Sequence, residues 1–220
     1  MAIALFDLDR TLIDVNSGSL WLRHEMRQGR VGWRDAAWAT WWFTRYHLGL
    51  GGGLEDAFVQ AVLNYRGMPD ADLSAETDSF FEDEVEPRLR PGAAKALAFH
   101  RERGDQIALA SSTTQYLAQK AMEAWGMQLA ACTTLEVVDG HLTGHITALA
   151  LGRHKTLRTL DWAQAHDIDL SEATFYTDSF TDLDLMEKVG EPVAVNPDRR
   201  LRRAALARGW RVEDWGMAGA

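Results

Sequence analysis

The sequence predicts an α/β protein with a Rossmann-like parallel sheet and a block of helices inserted after the first strand. Three observations carry this. Short apolar runs alternate with helical patterns over most of the 220 residues, the stretch between the first two runs has no comparable strand pattern, and two of the runs end in aspartate. Strands that alternate with helices form parallel sheets covered on both faces, so each strand reads as a continuous apolar run. Ligands of such sheets collect at the carboxyl ends of the strands.

Taken in order, the first strand is Ala2–Phe6, which delivers Asp7 and Asp9 into a turn. Residues 15–86 follow, with helical patterns near Ser17–Arg27, Arg34–Leu48, Leu54–Tyr65 and Asp72–Val85. Gly29, the run Gly49-Leu50-Gly51-Gly52-Gly53 and Pro69 punctuate them. A helix over Ala93–Arg103 and a Gly104-Asp105 turn lead to a second strand, Gln106–Ala110, and a helix over Gln115–Trp125. Leu135–Val138 and His141–Ile146 flank Asp139-Gly140 and read as a β-hairpin, an accessory flap of the core. A helix over Lys155–His166, strands at Ala173–Thr177 and Pro192–Val195 and a helix over Arg199–Arg208 complete the chain.

Composition bounds the function. A chain that is 46% hydrophobic buries a sizeable core. A net charge of −9 argues against nucleic acid or an anionic membrane surface as the main partner. The sole cysteine, Cys132, has no partner for an internal disulfide and fits a reducing compartment. No stretch approaches a transmembrane span and the first residues lack a signal-peptide pattern, so the expected location is cytoplasmic.

Four segments carry the chemistry. Asp7-Leu8-Asp9-Arg10-Thr11-Leu12 places two carboxylates one residue apart, where they can divide nucleophilic and acid/base work; taken alone, they also fit a helix cap or an oxygen cluster for a cation. Ile107-Ala108-Leu109-Ala110-Ser111-Ser112 ends a strand in hydroxyls, which taken alone also fits a cap for the next helix. Gly152-Arg153-His154-Lys155-Thr156 puts Lys155 at a helix start, slightly against the macrodipole, with Arg153 and His154 beside it as rivals. Ala173–Thr177 ends in Asp178, with Asp182 one turn later; Asp184 is a solvated helix residue.

In this order the four segments resemble the motifs of the haloacid dehalogenase superfamily in its phosphatase form. Arg90-Pro91-Gly92, Asp139–Gly144 and Val193–Asp198 are similar to the branch that contains phosphoserine phosphatase, in subfamily I. The last motif departs from the usual Gly-Asp-x-x-x-Asp by having Thr177 and Ser179 as flanks. The resemblance implies a HAD-like core of residues 1–14 and 87–220 with a helical-bundle cap of residues 15–86, hinged at Asp14–Asn16 and Glu86-Pro87. It implies Asp7 as nucleophile, Asp9 as acid and base, Ser111 and Ser112 with Lys155 on the phosphoryl oxygens, and Asp182 orienting Lys155 or metal-bound water. It also implies Mg²⁺ on Asp7, Asp178 and the main-chain carbonyl of Asp9, a hard cation suited to oxygen ligands. His141 and His145 make no zinc set, since Gly140 and Gly144 break any helix there.

The expected function is hydrolysis of a small phosphorylated metabolite through an aspartyl-phosphate, by a monomer or weak homodimer. A phosphomutase using the same motifs and a non-catalytic phosphate-sensing module are the alternatives. Where phosphoserine phosphatases carry a glutamate for the substrate amine, nine residues beyond the nucleophile, this chain has Asn16. The substrate thus stays open between a phosphoserine-like compound and an amino-alcohol phosphate such as histidinol phosphate. Five of nine tryptophans, Trp21, Trp33, Trp38, Trp41 and Trp42, fall in the helical block. They read as its core, with Trp41 or Trp42 as the candidate for an aromatic substrate pocket. The acids from Asp70 to Glu86 read as a solvated helix face.

Overall fold

The structure, a computed structural model, describes residues 2–33 and 54–219. The helix expected over Arg34–Leu48, with Trp38, Trp41 and Trp42, lies outside the described residues. The sheet has seven strands: β1 (Ile3–Phe6), β2 (Gln106–Thr114), β3 (Leu129–Val138), β4 (His141–Ala148), β5 (Thr174–Thr177), β6 (Glu191–Val195) and β7 (Arg211–Glu213). Their order is β4-β3-β2-β1-β5-β6-β7, all parallel except the antiparallel pair β3 and β4. The first strand is therefore central. Its neighbours β2 and β5 run parallel to it, so the three motif-bearing carboxyl ends emerge side by side.

Burial on both faces explains the apolar runs. Ala4, Phe6, Ile107, Leu109, Tyr176 and Val193 pack on one side of the sheet; Ile3, Leu5, Ala108, Ala110, Phe175 and Ala194 pack on the other. Phe6 stacks on Tyr176 at 4.7 Å between ring centroids, and the Tyr176 hydroxyl meets His100 Nε2 at 2.9 Å, so its polar tip is bonded.

The helices are α1 (Ser17–Arg27), α2 (Leu54–Leu63), α3 (Asp70–Phe80), α4 (Pro91–Arg103), α5 (Gln115–Trp125), α6 (Arg153–Ala165), α7 (Leu183–Met186) and α8 (Arg199–Arg208). Their ends follow local chemistry. Proline opens α4, Asp198 caps α8 by accepting from the Arg200 and Leu201 N–H groups, and α4, α5 and α8 each stop at a glycine in the left-handed region.

Helices α1 to α3 lie between β1 and β2 in the chain, and the two crossings run side by side. Ile13 bridges Leu89, the Asp14 N–H donates to the Arg88 carbonyl, and the Arg90 N–H donates to the Leu12 carbonyl. The acidic run from Asp70 to Glu86 is solvated only in part: Asp72, Glu82, Asp83 and Glu86 are exposed, and others are paired. Glu76 lies 2.8 Å from His24 on α1, Glu84 just beyond α3 pairs with Arg27, and Asp78 lies 3.0 Å from Lys120 on α5. The bases that meet these acids are 42 or more positions away in sequence, which local charge patterning does not register.

Two further differences concern the sheet. The expected flap is integral to it, because β3 pairs with β2 through its first half and with β4 through its second. The tip of this hairpin also bonds the helical block, through the Gly67 N–H to the Leu142 carbonyl and the Asp70 N–H to the Gly140 carbonyl. Strand β7 is a polar three-residue edge strand with no apolar run to announce it. No helix among the described residues is long and apolar enough to cross a membrane.

Gly190 offers a test of how tightly β5 and β6 are entered. A Cβ there would lie 2.0 Å from the Ser171 carbonyl oxygen, a backbone atom that cannot swing away. Gly190→Ala should lower stability by about 1–3 kcal/mol in urea titrations. An unchanged midpoint would show that the Ser171 turn yields freely.

Candidate active site

The turn after β1 sets the site. Asp7 ends the strand with its N–H on the Tyr176 carbonyl; Arg10 takes a left-handed backbone (φ 58°), and the Arg10 N–H reaches the Val15 carbonyl at 2.9 Å. A non-glycine residue in that region signals a turn held by its surroundings. The fold thereby aims Asp7 and Asp9 into one cavity.

Lys155, near the start of α6, is buried between two carboxylates. Its Nζ donates to Asp7 Oδ1 and to Asp182 Oδ2, each at 2.7 Å, and lies 5.6 Å from the centre of the Phe175 ring. Arg153 and His154 are exposed, so the choice among the three basic residues falls on Lys155. The Asp182 Oδ2 also accepts from the Thr177 hydroxyl at 2.7 Å. This hydroxyl occupies the flanking place where the resembled motif has glycine.

Thr11 ties the first and last motifs together, a link the sequence reading missed. Its hydroxyl donates to Asp7 Oδ2 at 3.3 Å and accepts from the Asp178 N–H at 3.0 Å. The only sequence signal was a hydroxyl at the fifth place of Asp-x-Asp-x-Thr. Asp9 is held from the helical block: Oδ1 accepts from the Ser17 N–H at 2.7 Å and Oδ2 from Asn16 Nδ2 at 3.1 Å. Asn16 is also the N-cap of α1, accepting from the Ser19 N–H at 2.8 Å, so both ends of its amide are engaged.

Electrostatics follow from crowding. Burial pushes the Asp7 carboxyl up to about 7, with Lys155 opposing and Asp182 adding to the rise. Asp178 stands well above the ordinary carboxylate range, first through burial and then through the charges of Asp7 and Asp182. Asp9 is raised by burial against the stabilising Ser17 contacts. Burial works against the charge of Lys155, yet Asp182 and Asp7 together hold its pKa above the usual value.

These residues open on a cavity of about 230 Å³, just under the roughly 300–1,000 Å³ of drug-sized pockets. Asp7, Asp9, Arg10, Lys155, Asp178 and Asp182 line it, as do Ser112, Thr113 and Thr114 at the end of β2. Ser111 is fully buried, does not line the cavity, and its Oγ accepts from the Thr113 N–H at 3.4 Å. The structure thus gathers every predicted site residue except Ser111 around one space. Trp21, expected only as core filling, lines it too. Asp184 is exposed and outside it.

No group of three or more His, Cys, Asp or Glu side chains among the described residues is arranged as a metal cage. The donor set suits a cation that takes few protein ligands: two crowded carboxylates, Asp7 and Asp178, whose ionisation burial opposes and a divalent charge would favour.

A family model described as haloacid dehalogenase-like hydrolase matches residues 4–187. The chain belongs to this family. It is a phosphatase of the haloacid dehalogenase type. It is 31% identical to a histidinol-phosphatase of Neisseria meningitidis serogroup C over 96% of this chain and 97% of that one. A phosphoserine phosphatase of Mycobacterium tuberculosis is 28% identical over 99% of this chain and 72% of its own length. Among solved structures, a protein of unknown function from Bordetella pertussis Tohama I superimposes with a TM-score of 0.85 at 31% identity, covering 98% of this chain and 99% of that one. The α/β architecture is that of the family.

Lys155→Met tests the charge balance. With EDTA present, the folded chain keeps a proton on Asp7 between the ordinary carboxylate range and about pH 7, where the unfolded chain has released it. This group's contribution to stability therefore falls as pH rises across that window. Removing the lysine should lower stability by about 3–5 kcal/mol at pH 8 and less at pH 5. A loss independent of pH in denaturant titrations would show that Lys155 acts only through packing.

Proposed function

We propose that this phosphatase hydrolyses a small phosphorylated metabolite through a phosphoryl-aspartate on Asp7, with phosphoserine-like and amino-alcohol phosphates, histidinol phosphate among them, as the substrate class. The observation that carries the reading is the setting of Asp7: end of the central strand, one oxygen on Lys155, and a cavity shared with Asp9 and Asp178. The names of the relatives support the same substrate range.

In this reading Asp7 attacks phosphorus in line, and Asp9 donates a proton to the departing alkoxide. Asp9 then takes a proton from the water that cleaves the acyl phosphate. Burial suits Asp9 to holding a proton, while Asn16 and Ser17 fix its direction. Lys155, steadied by Asp182, and the hydroxyls at the end of β2 bind the equatorial phosphoryl oxygens. That Ser112 lines the cavity supports it as the serine that binds phosphate, with the Ser111 Oγ accepting from the Thr113 N–H.

Asp7, Asp178 and the Asp9 carbonyl would hold Mg²⁺. When bound it supplies positive charge that lets an anionic nucleophile approach an anionic phosphoryl group. Residues 15–86 are assigned as a cap over a core of residues 1–14 and 87–220, which places the contacts of Asn16 and Ser17 with Asp9 at the cap's first hinge.

Chelation should abolish phosphate release and Mg²⁺ restore it; turnover that survives exhaustive EDTA treatment removes the metal from the account. Asp9→Asn should retain Mg²⁺ binding, because its ligand there is a main-chain carbonyl, and slow turnover roughly 10²–10⁴-fold. Lost metal affinity with near-normal turnover would show the roles of the two aspartates to be wrongly divided.

A further inference from the structure

The cavity is chemically two-sided. Among the described residues, every charged side chain that lines it belongs to the turn after β1, to Lys155, or to the Asp178–Asp182 loop. The opposite wall is built by Trp21 on α1, Phe58 and Val62 on α2, Leu73 and Phe80 on α3, and Leu135 on β3. Phe80 meets Trp21 edge to face, with centroids 4.9 Å apart and planes at 89°, and His24 stacks on Trp21 at 5.2 Å. Such a packed aromatic pair holds a fixed surface rather than a pliant one.

The polar atoms that Trp21, Tyr65 and Thr77 bring to that wall are already engaged. Trp21 Nε1 donates to the Tyr65 hydroxyl at 2.7 Å, and the Thr77 hydroxyl donates to the Leu73 carbonyl at 2.7 Å. The indole therefore meets the cavity with ring carbons. Asn16, at the place of the amine-binding glutamate of phosphoserine phosphatases, is spent on Asp9 and on the start of α1. A substrate carboxylate or ammonium directed at this wall would lose water without gaining a charged partner from it.

We propose that the alcohol released by this enzyme carries a ring or branched apolar body against the Trp21–Phe80 wall and no carboxylate, so that the substrate is a phosphomonoester of a ring-bearing or branched alcohol rather than a phosphorylated amino acid. The inference rests on the phosphatase reading of the Asp7 site and narrows its substrate class. Trp21 is then a specificity-determining residue: it touches the leaving group and not the reacting phosphorus.

The deciding comparison is phosphate release by the full chain with Mg²⁺ from 2-phenylethyl phosphate and from phosphoserine. We expect kcat/KM for the aromatic ester to exceed that for phosphoserine by about 10–100-fold. Trp21→Phe, which keeps a ring, should preserve most of that ratio; Trp21→Arg, which puts a cation on the wall, should reduce it at least about tenfold. Equal or better turnover of phosphoserine by the parent chain overturns the inference and leaves the phosphatase reading standing. A ratio unmoved by Trp21→Arg overturns the assignment of the wall. If neither ester, nor histidinol phosphate or glycerol phosphate, releases phosphate, the phosphatase reading fails and the inference falls with it.

Discussion

Asp7, Asp178 and Asp182 crowd around a single lysine at the buried end of the sheet, and this surplus of negative charge is the constraint on which the rest of the structure depends. Two unit charges about 4 Å apart interact by roughly 4 kcal/mol where the effective dielectric constant is near 20. Lys155 satisfies two of the carboxylates directly. Asp178 is left with its backbone N–H on Thr11 and its carboxyl pushed far up, a group whose ionisation awaits positive charge. A site in this condition is suited to a divalent cation and to a phosphoryl group that arrives with one.

Topology supplies the crowding. Because β1 lies between β2 and β5, the strand ends that carry Asp7, the Ser111–Thr114 hydroxyls and Asp178 emerge side by side. Lys155 comes from α6, which follows the β3–β4 hairpin, so the same hairpin that bonds the helical block precedes the helix that delivers the counter-charge. Thr11 then fixes the relative position of Asp7 and Asp178 through one hydroxyl. The helical block reaches the chemistry through Asn16 and Ser17 on Asp9 and through Trp21 on the far wall. In the proposed reading, acid/base positioning and leaving-group recognition share one segment, Asn16 and the first turns of α1.

Much of this was legible in the sequence because the relevant signals are local. Strands buried on both faces must be apolar throughout, so the runs ending at Phe6, Ala110 and Thr177 stood out, and acids directly after two of them mark a site. A basic residue at a helix start, against the dipole, pointed to the segment of Lys155. The helices over Ser17–Arg27, Gln115–Trp125 and Arg199–Arg208 match their expected bounds, and in the structure Asn16, Gly126 and Gly209 cap them. What escaped depends on partners distant in sequence. The two hydrogen bonds of the Thr11 hydroxyl, the engagement of Asn16 by Asp9 and the pairing of the acids on and just beyond α3 with α1 and α5 are all tertiary contacts. Trp21 and Ser111 show the same limit within a segment: neighbouring residues of similar character divide between core and cavity according to packing alone.

The central claim is that Asp7 becomes phosphorylated. An acyl phosphate is reduced by borohydride to the corresponding alcohol, so trapping during turnover and peptide mapping by mass spectrometry reads the site directly. The account predicts homoserine at position 7, formed only when substrate and Mg²⁺ are both present. An unmodified Asp7 recovered from enzyme that is releasing phosphate would contradict it and assign the attack to water.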